Sequence, residues 1–172
     1  MKGPFIHLRW MKGPFIHDAT GCRVGFFGTY AYENGQWKTL SEGELPPLAE
    51  PSLWIDIHDS DITSVVYAPA GPGTGVAYLG LTPRTYFENP NASDPTDVLR
   101  EAAGLAAWWA LHNSGDVTAK QADLLGYLAS DENPDDFSLE DEQDVEDVDV
   151  FVELKTKQFL AALDLPLPTE LR

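Results

Sequence analysis

Cysteine is almost missing from this chain. Cys22 is the only one in 172 residues, which excludes an internal disulfide and any multi-cysteine metal site. Long apolar runs are missing as well. None approaches the ~18–20 residues that span a bilayer, and the N-terminus lacks a signal peptide's apolar region and cleavage site. A cytoplasmic protein without membrane contact is therefore expected. Basic residues are few, 11 against 28 acids, and no two are adjacent. The resulting net charge of −17 argues against direct nucleic-acid binding, because phosphate contacts need clustered Lys and Arg. Serine-hydrolase and zinc-peptidase patterns (GxSxG, HExxH) do not occur, and nothing implies a cofactor.

What is present fits one domain over residues 1–172, long enough to bury a core without staples. Residues 1–7 and 11–17 are the same heptapeptide, MKGPFIH. Two copies cannot form a solenoid, so residues 1–10 read as a duplicated start with Met11 as alternative initiator, a cloning scar, or a functional arm. From Cys22 to Leu40 the pattern is a β-hairpin. Asn34-Gly35 supplies the positive φ values of a type I′ turn, pairing Tyr32 with Trp37 and Tyr30 with Thr39. Val24, Phe26, Tyr30, Tyr32 and Trp37 then share a core face, with Arg23, Thr29 and Lys38 on a wetter one. Gly25 and Gly28 read as a bulge or a close backbone approach.

Leu53–Phe87 is the stretch in which alternation, turn residues and β-branched content agree. Leu53, Ile55 and Ile57 alternate with Trp54, Asp56 and His58. A turn through Asp59-Ser60 would oppose Ile57 to Ile62 and Leu53 to Val66, leaving Trp54, Asp56, His58, Thr63, Val65 and Tyr67 on the reverse face. Gly71–Gly75 is a second turn, leading to a strand over Val76–Leu81. The glycines superficially resemble a phosphate loop, but a strand follows where a helix is needed, and no P-loop lysine is present. Residues 22–87 thus read as an antiparallel sheet of about five strands.

Helical signals begin later. Asp94-Pro95 reads as an N-cap with proline at the first helical position, for a helix to about Asn113. Its apolar stripe is Val98, Ala102, Leu105, Ala106 and Trp109, widened by Leu99, Ala103 and Trp108. Thr118 and Gln121 read as a capping box for a second helix to about Ala129, buried by Ala122, Leu125 and Leu128. A third helix is expected from about Asp149 to Leu163, although residues 148–154 also alternate like a strand. Pro166 and Pro168 would end ordered structure. Strands first and helices after give an α+β fold, a sheet packed against two or three helices in residues 94–163.

The chemistry-bearing residues are few. Asp56 and His58 share a strand face roughly 6–7 Å apart, a spacing that suits acid–base work or a metal ion. A metal site needs a further ligand, and Asp- and Ser-rich turns commonly hydrogen-bond their own backbone, so no metal is assigned. Cys22 has nothing local to activate it. Residues 131–149 hold eleven acids and no base, and without them the net charge would be −6. The spacing lacks the ligand pattern and glycine of a calcium loop. The expectation is a non-enzymatic acidic interaction protein, of inhibitor or immunity type, binding a basic protein through Glu140, Asp141, Glu142, Asp144, Glu146 and Asp147. The alternative is a small-molecule binder or enzyme with a sheet-face pocket bounded by Trp54, Asp56, His58 and Tyr67.

Overall fold

Alternation and turn chemistry in the N-terminal half do produce a sheet. A computed structural model describes residues 25–41, 49–131 and 151–172. Five strands, β1 (Gly28–Glu33), β2 (Gln36–Leu40), β3 (Ser52–His58), β4 (Ile62–Ala68) and β5 (Val76–Gly80), form one antiparallel sheet in the order β2-β1-β3-β4-β5. Helices α1 (Pro83–Tyr86), α2 (Val98–Trp109), α3 (Val117–Leu125) and α4 (Val152–Ala162) follow, giving an α+β fold. Among the described residues no helix is long and apolar enough to cross a membrane.

The first hairpin closes at Asn34-Gly35, both with positive φ, and pairs Tyr32 with Trp37 and Tyr30 with Thr39 as the turn chemistry dictates. The second hairpin departs from expectation by one residue. His58 pairs with Ile62 and Leu53 with Tyr67, because the connection takes three residues, Asp59-Ser60-Asp61. Asp59 and Ser60 both adopt positive φ, 54° and 60°, and Asp61 N donates to His58 O at 3.1 Å. A one-residue slip moves a whole strand to the other face. Thr63, Val65 and Tyr67 therefore join Leu53, Ile55 and Ile57, while Ile62, Ser64 and Val66 lie with Trp54, Asp56 and His58.

The helices cover the Leu53–Ile55–Ile57 face. Leu105, Ala106 and Trp108 of α2 and Phe159 and Leu160 of α4 meet Tyr30, Val65, Tyr67, Ala77 and Leu79 in one core. Each fully buried aliphatic side chain there contributes roughly 1.5–3 kcal/mol. Trp108 Nε1 donates to Ser52 O (3.0 Å) and Ala68 O (3.2 Å), tying α2 to both central strands. Thr63 and Thr156 satisfy each other's hydroxyls at 2.8 Å, so neither is orphaned between β4 and α4. Trp108 and Trp109 are both core residues. Nor is the reverse face open throughout: Ile62, Tyr78 and Ala129 form a second buried cluster against Val76, Leu81 and Tyr86.

Helix starts differ from the sequence reading. α2 is capped by Asp97, whose Oδ1 accepts from Arg100 N at 3.1 Å, so Asp94-Pro95 lies in the preceding loop. α3 is capped by Asp116, which takes both Thr118 N and Ala119 N on Oδ1; a carboxylate there also offsets the positive end of the helix. In α3 Leu124 faces the core while Ala122 is exposed, and in α2 Leu99 is exposed too. Residues 152–154 are helical, since α4 opens at Val152. Nor does order end at Pro166. Thr169–Leu171 form a 3-10 turn that buries Leu171, held by Trp37 Nε1 to Pro166 O (2.6 Å) and Thr39 Oγ1 to Glu170 Oε1 (2.8 Å).

The Gly71–Gly75 connection is held by a buried carboxylate. Glu101, 2% exposed, accepts from Tyr67 Oη at 2.7 Å and from Thr74 N at 2.8 Å. A Cβ at Gly73 or Gly104 would run into the Tyr67 hydroxyl, so both glycines are required by close packing. Burial, then the Glu101 hydrogen bond, push the Tyr67 phenol well above its ordinary range.

Candidate functional site

The β3–β4 turn gathers more polar and aromatic groups than its length implies. Ser60 is its hub. Its Oγ accepts from Phe26 N (2.8 Å) and donates to Glu153 Oε1 (2.7 Å), its N donates to Phe26 O (3.2 Å), and its O accepts from Val152 N (3.0 Å). One buried serine thus joins the entry to β1, the turn and the first turn of α4. Glu153 Oε2 is buried without a hydrogen-bond partner.

Aromatic rings surround the neighbouring histidine. His58 meets Phe27 edge-on at 5.1 Å between ring centroids, Tyr86 at 5.8 Å and Phe87 at 6.0 Å. The short helix α1, with proline at its start and Thr82 as N-cap, carries Tyr86 and delivers Phe87 just beyond. Tyr86 Oη donates to Asp59 Oδ2 at 2.7 Å. That hydrogen bond, aided by burial, pushes the Tyr86 phenol up to about 12. Partial burial, with Asp59 and Glu153 nearby, pushes the Asp61 carboxyl up. The turn is a place where negative charge crowds.

The sign for Asp61 follows from linkage. A carboxyl whose folded pKa is raised contributes its stability below its unfolded value, near pH 4, and loses it as pH rises through the folded one. Ionised Asp61 therefore costs stability at neutral pH. Asp61→Asn is expected to melt at a higher temperature than the parent at about pH 7, with the advantage vanishing near pH 3.5. Thermal unfolding of both proteins at the two pH values checks this; a lower melting temperature at neutral pH contradicts it.

Of the residues singled out from sequence, Asp56 and His58 do share a face and are both half-buried. Asp56 Oδ1 accepts from Thr29 Oγ1 at 2.5 Å. Trp54 lies on the same face, with Nε1 buried and unpartnered. Tyr67 does not: the three-residue turn places it on the helix-covered face, 2% exposed, so it cannot line a cavity with the other three. Among the described residues no group of three or more His, Cys, Asp or Glu side chains is arranged to hold a metal ion. Glu140, Asp141, Glu142, Asp144, Glu146 and Asp147, together with Cys22, lie outside the described residues.

Two shallow grooves flank the start of α4. One, about 320 Å³, is lined by Ser60, Asp61, Gly80, Leu81, Phe151, Val152 and Lys155. The other, about 350 Å³, runs over Gly126, Tyr127, Phe151, Leu154, Lys155 and Gln158. Neither is lined by Asp56 or His58. Phe27, Ser60, Tyr86, Phe87 and Glu153 were not legible as site residues. The one local hint was two aromatic pairs, Phe26-Phe27 and Tyr86-Phe87, in stretches rich in turn residues.

No family model, curated protein or solved structure matches the chain.

Proposed function

We propose that this chain is a non-enzymatic acidic interaction protein that binds a basic protein partner, as an inhibitor or immunity-type protein would. The supporting observation is where the acidic segment is tied down. On its N-terminal side Ala129 N donates to Tyr78 O at 2.7 Å, and Asp131 accepts from Thr96 N at 2.7 Å. On its C-terminal side Val152 N donates to Ser60 O. Ser60 lies in the β3–β4 turn, and Tyr78 sits mid-strand in β5, whose Gly80 pairs with Ile62 just after that turn. Asp59, Asp61 and Glu153 belong to this region too, near the described residues that flank the acidic tract in sequence. The carboxylates of the tract and of the turn supply the negative charge that steers a basic partner and competes for its phosphate-binding side chains.

The charge excess does not depend on the tract alone. The described residues carry fifteen acids against seven basic side chains. A pocket-based alternative around Asp56 and His58 has no comparable support, since the grooves above lie elsewhere. A cytoplasmic setting and the absence of nucleic-acid contact belong to this same proposal.

Replacing Asp141, Glu142, Asp144 and Glu146 by Asn or Gln is expected to slow association with the partner by roughly tenfold at low salt. It should also flatten the salt dependence of the on-rate. The measurement is surface-based kinetics at two ionic strengths, against the partner identified by cross-linking and co-purification. An unchanged on-rate and salt slope would sink the proposal.

A further inference from the structure

We infer that the surface formed by Phe27, Tyr86 and Phe87 with Asp59 and Asp61 receives an arginine side chain of that basic partner. The inference rests on the partner reading above and adds the residue type recognised and the place. Phe27 and Phe87 are 54% and 47% exposed, so their rings are open to a partner. Both contact the His58 ring, at 5.1 and 6.0 Å between centroids, and Tyr86 packs edge-on to Phe87 at 4.8 Å. Exposed rings beside carboxylates are a poor surface for a neutral apolar partner, because docking would desolvate Asp59 and Asp61 without compensation.

A guanidinium resolves that conflict. It is planar and weakly hydrated, stacks on aromatic faces, and donates to carboxylates from the same group, whereas an ammonium is compact and strongly hydrated. The turn also concentrates negative charge: burial first, then the nearby Asp59 and Glu153, push the Asp61 carboxyl up, against a smaller opposing effect of His58. The surface is also held in shape before any partner arrives. Tyr86 orients Asp59, and the hydrogen bonds of Ser60 fix the turn to Phe26 and α4. Little ordering cost then remains for binding.

The test uses the full chain and two synthetic peptides of equal length and charge, one of arginine and glycine, the other of lysine and glycine. Calorimetric titration at fixed ionic strength is expected to give roughly three- to tenfold tighter binding of the arginine peptide. In the doubly substituted Phe27→Ser, Phe87→Ser protein that preference should disappear while lysine-peptide affinity is kept. Asp61→Asn, which is expected to fold more stably, should weaken the arginine peptide about twofold or more, so the test does not hang on one variant. Equal binding of the two peptides, or a preference indifferent to all these substitutions, overturns the arginine site and leaves the basic-partner reading standing. Failure of both peptides to bind at low salt overturns both readings.

Discussion

Glu101→Ala is expected to cost about 2–4 kcal/mol of folding stability, measured by urea unfolding at neutral pH. The carboxylate is buried in α2 and takes hydrogen bonds from two groups: the Tyr67 hydroxyl, whose other acceptor is the Glu101 backbone O at 3.5 Å, and the Thr74 backbone N–H. Truncation leaves the buried phenol with only that long contact and takes the acceptor from the Thr74 N–H, and a buried group left unpaired costs about 1–3 kcal/mol. Tyr67→Phe removes one donor and keeps the other, so its loss should be smaller. Because the two residues share one interaction, the double variant should fall short of the sum of the single losses. Gly104→Ala tests the same junction from outside. Its Cβ would collide with the Tyr67 hydroxyl and approach Gly73 Cα at 2.9 Å, so it should destabilise without removing any polar group. If Glu101→Ala lost under ~1 kcal/mol, the carboxylate would not be what holds the Gly71–Gly75 loop.

Ser60→Ala is the second large effect, about 2–3 kcal/mol by the same measurement. It removes the acceptor for Phe26 N and the donor to Glu153 Oε1. Glu153 would then hold a carboxylate with neither oxygen bonded to Ser60 and Oε2 already unpartnered. Ser60→Gly separates the two roles of this residue. Both variants lose the hydroxyl, but glycine accepts φ near 60° without the Cβ penalty, so it should be about 1 kcal/mol less damaging than alanine. Equal losses would mean that the backbone conformation at residue 60 carries no strain. Because Ser60 also receives Val152 N on its carbonyl, both variants should loosen the start of α4, visible as faster amide exchange there.

Much of the fold was legible because its signals are local. Asn34-Gly35 set the first hairpin and its register without help from distant residues, since a two-residue loop that needs two positive φ values admits few alternatives. Alternation in Leu53–Ile57 placed β3 and its buried face. The apolar stripe of α2 placed that helix, although its cap lay three residues later than the Asp94-Pro95 pair implied. Capping preferences name residue types, and Asp94, Asp97, Asp116 and Thr118 all qualify. Which one caps is decided by where the chain turns toward the sheet.

The candidate site was legible only in part. Asp56, His58, Asp59 and Asp61 stood out as the tight cluster of reactive groups. Nothing in the chain's order announced that Phe27, Tyr86 and Phe87 would close around His58, or that Glu153 would reach Ser60 from 93 residues away. Contacts of that span are products of packing, which a residue pattern does not encode.

The sequence by itself determined the class of the fold, the antiparallel β-then-α order, the first hairpin's register and the strongly acidic character, because each rests on periodicity, turn chemistry or simple charge. Tertiary structure decided the β3–β4 register. A two-residue turn at Asp59-Ser60 and a three-residue turn through Asp61 are both acceptable locally. Only the packing of Thr63 on Thr156, of Tyr67 on Glu101 and of Ser60 between Phe26 and α4 selects the longer one. That single residue moved Tyr67 from an imagined pocket into the core, and left the turn's aromatic and acidic groups together at the surface.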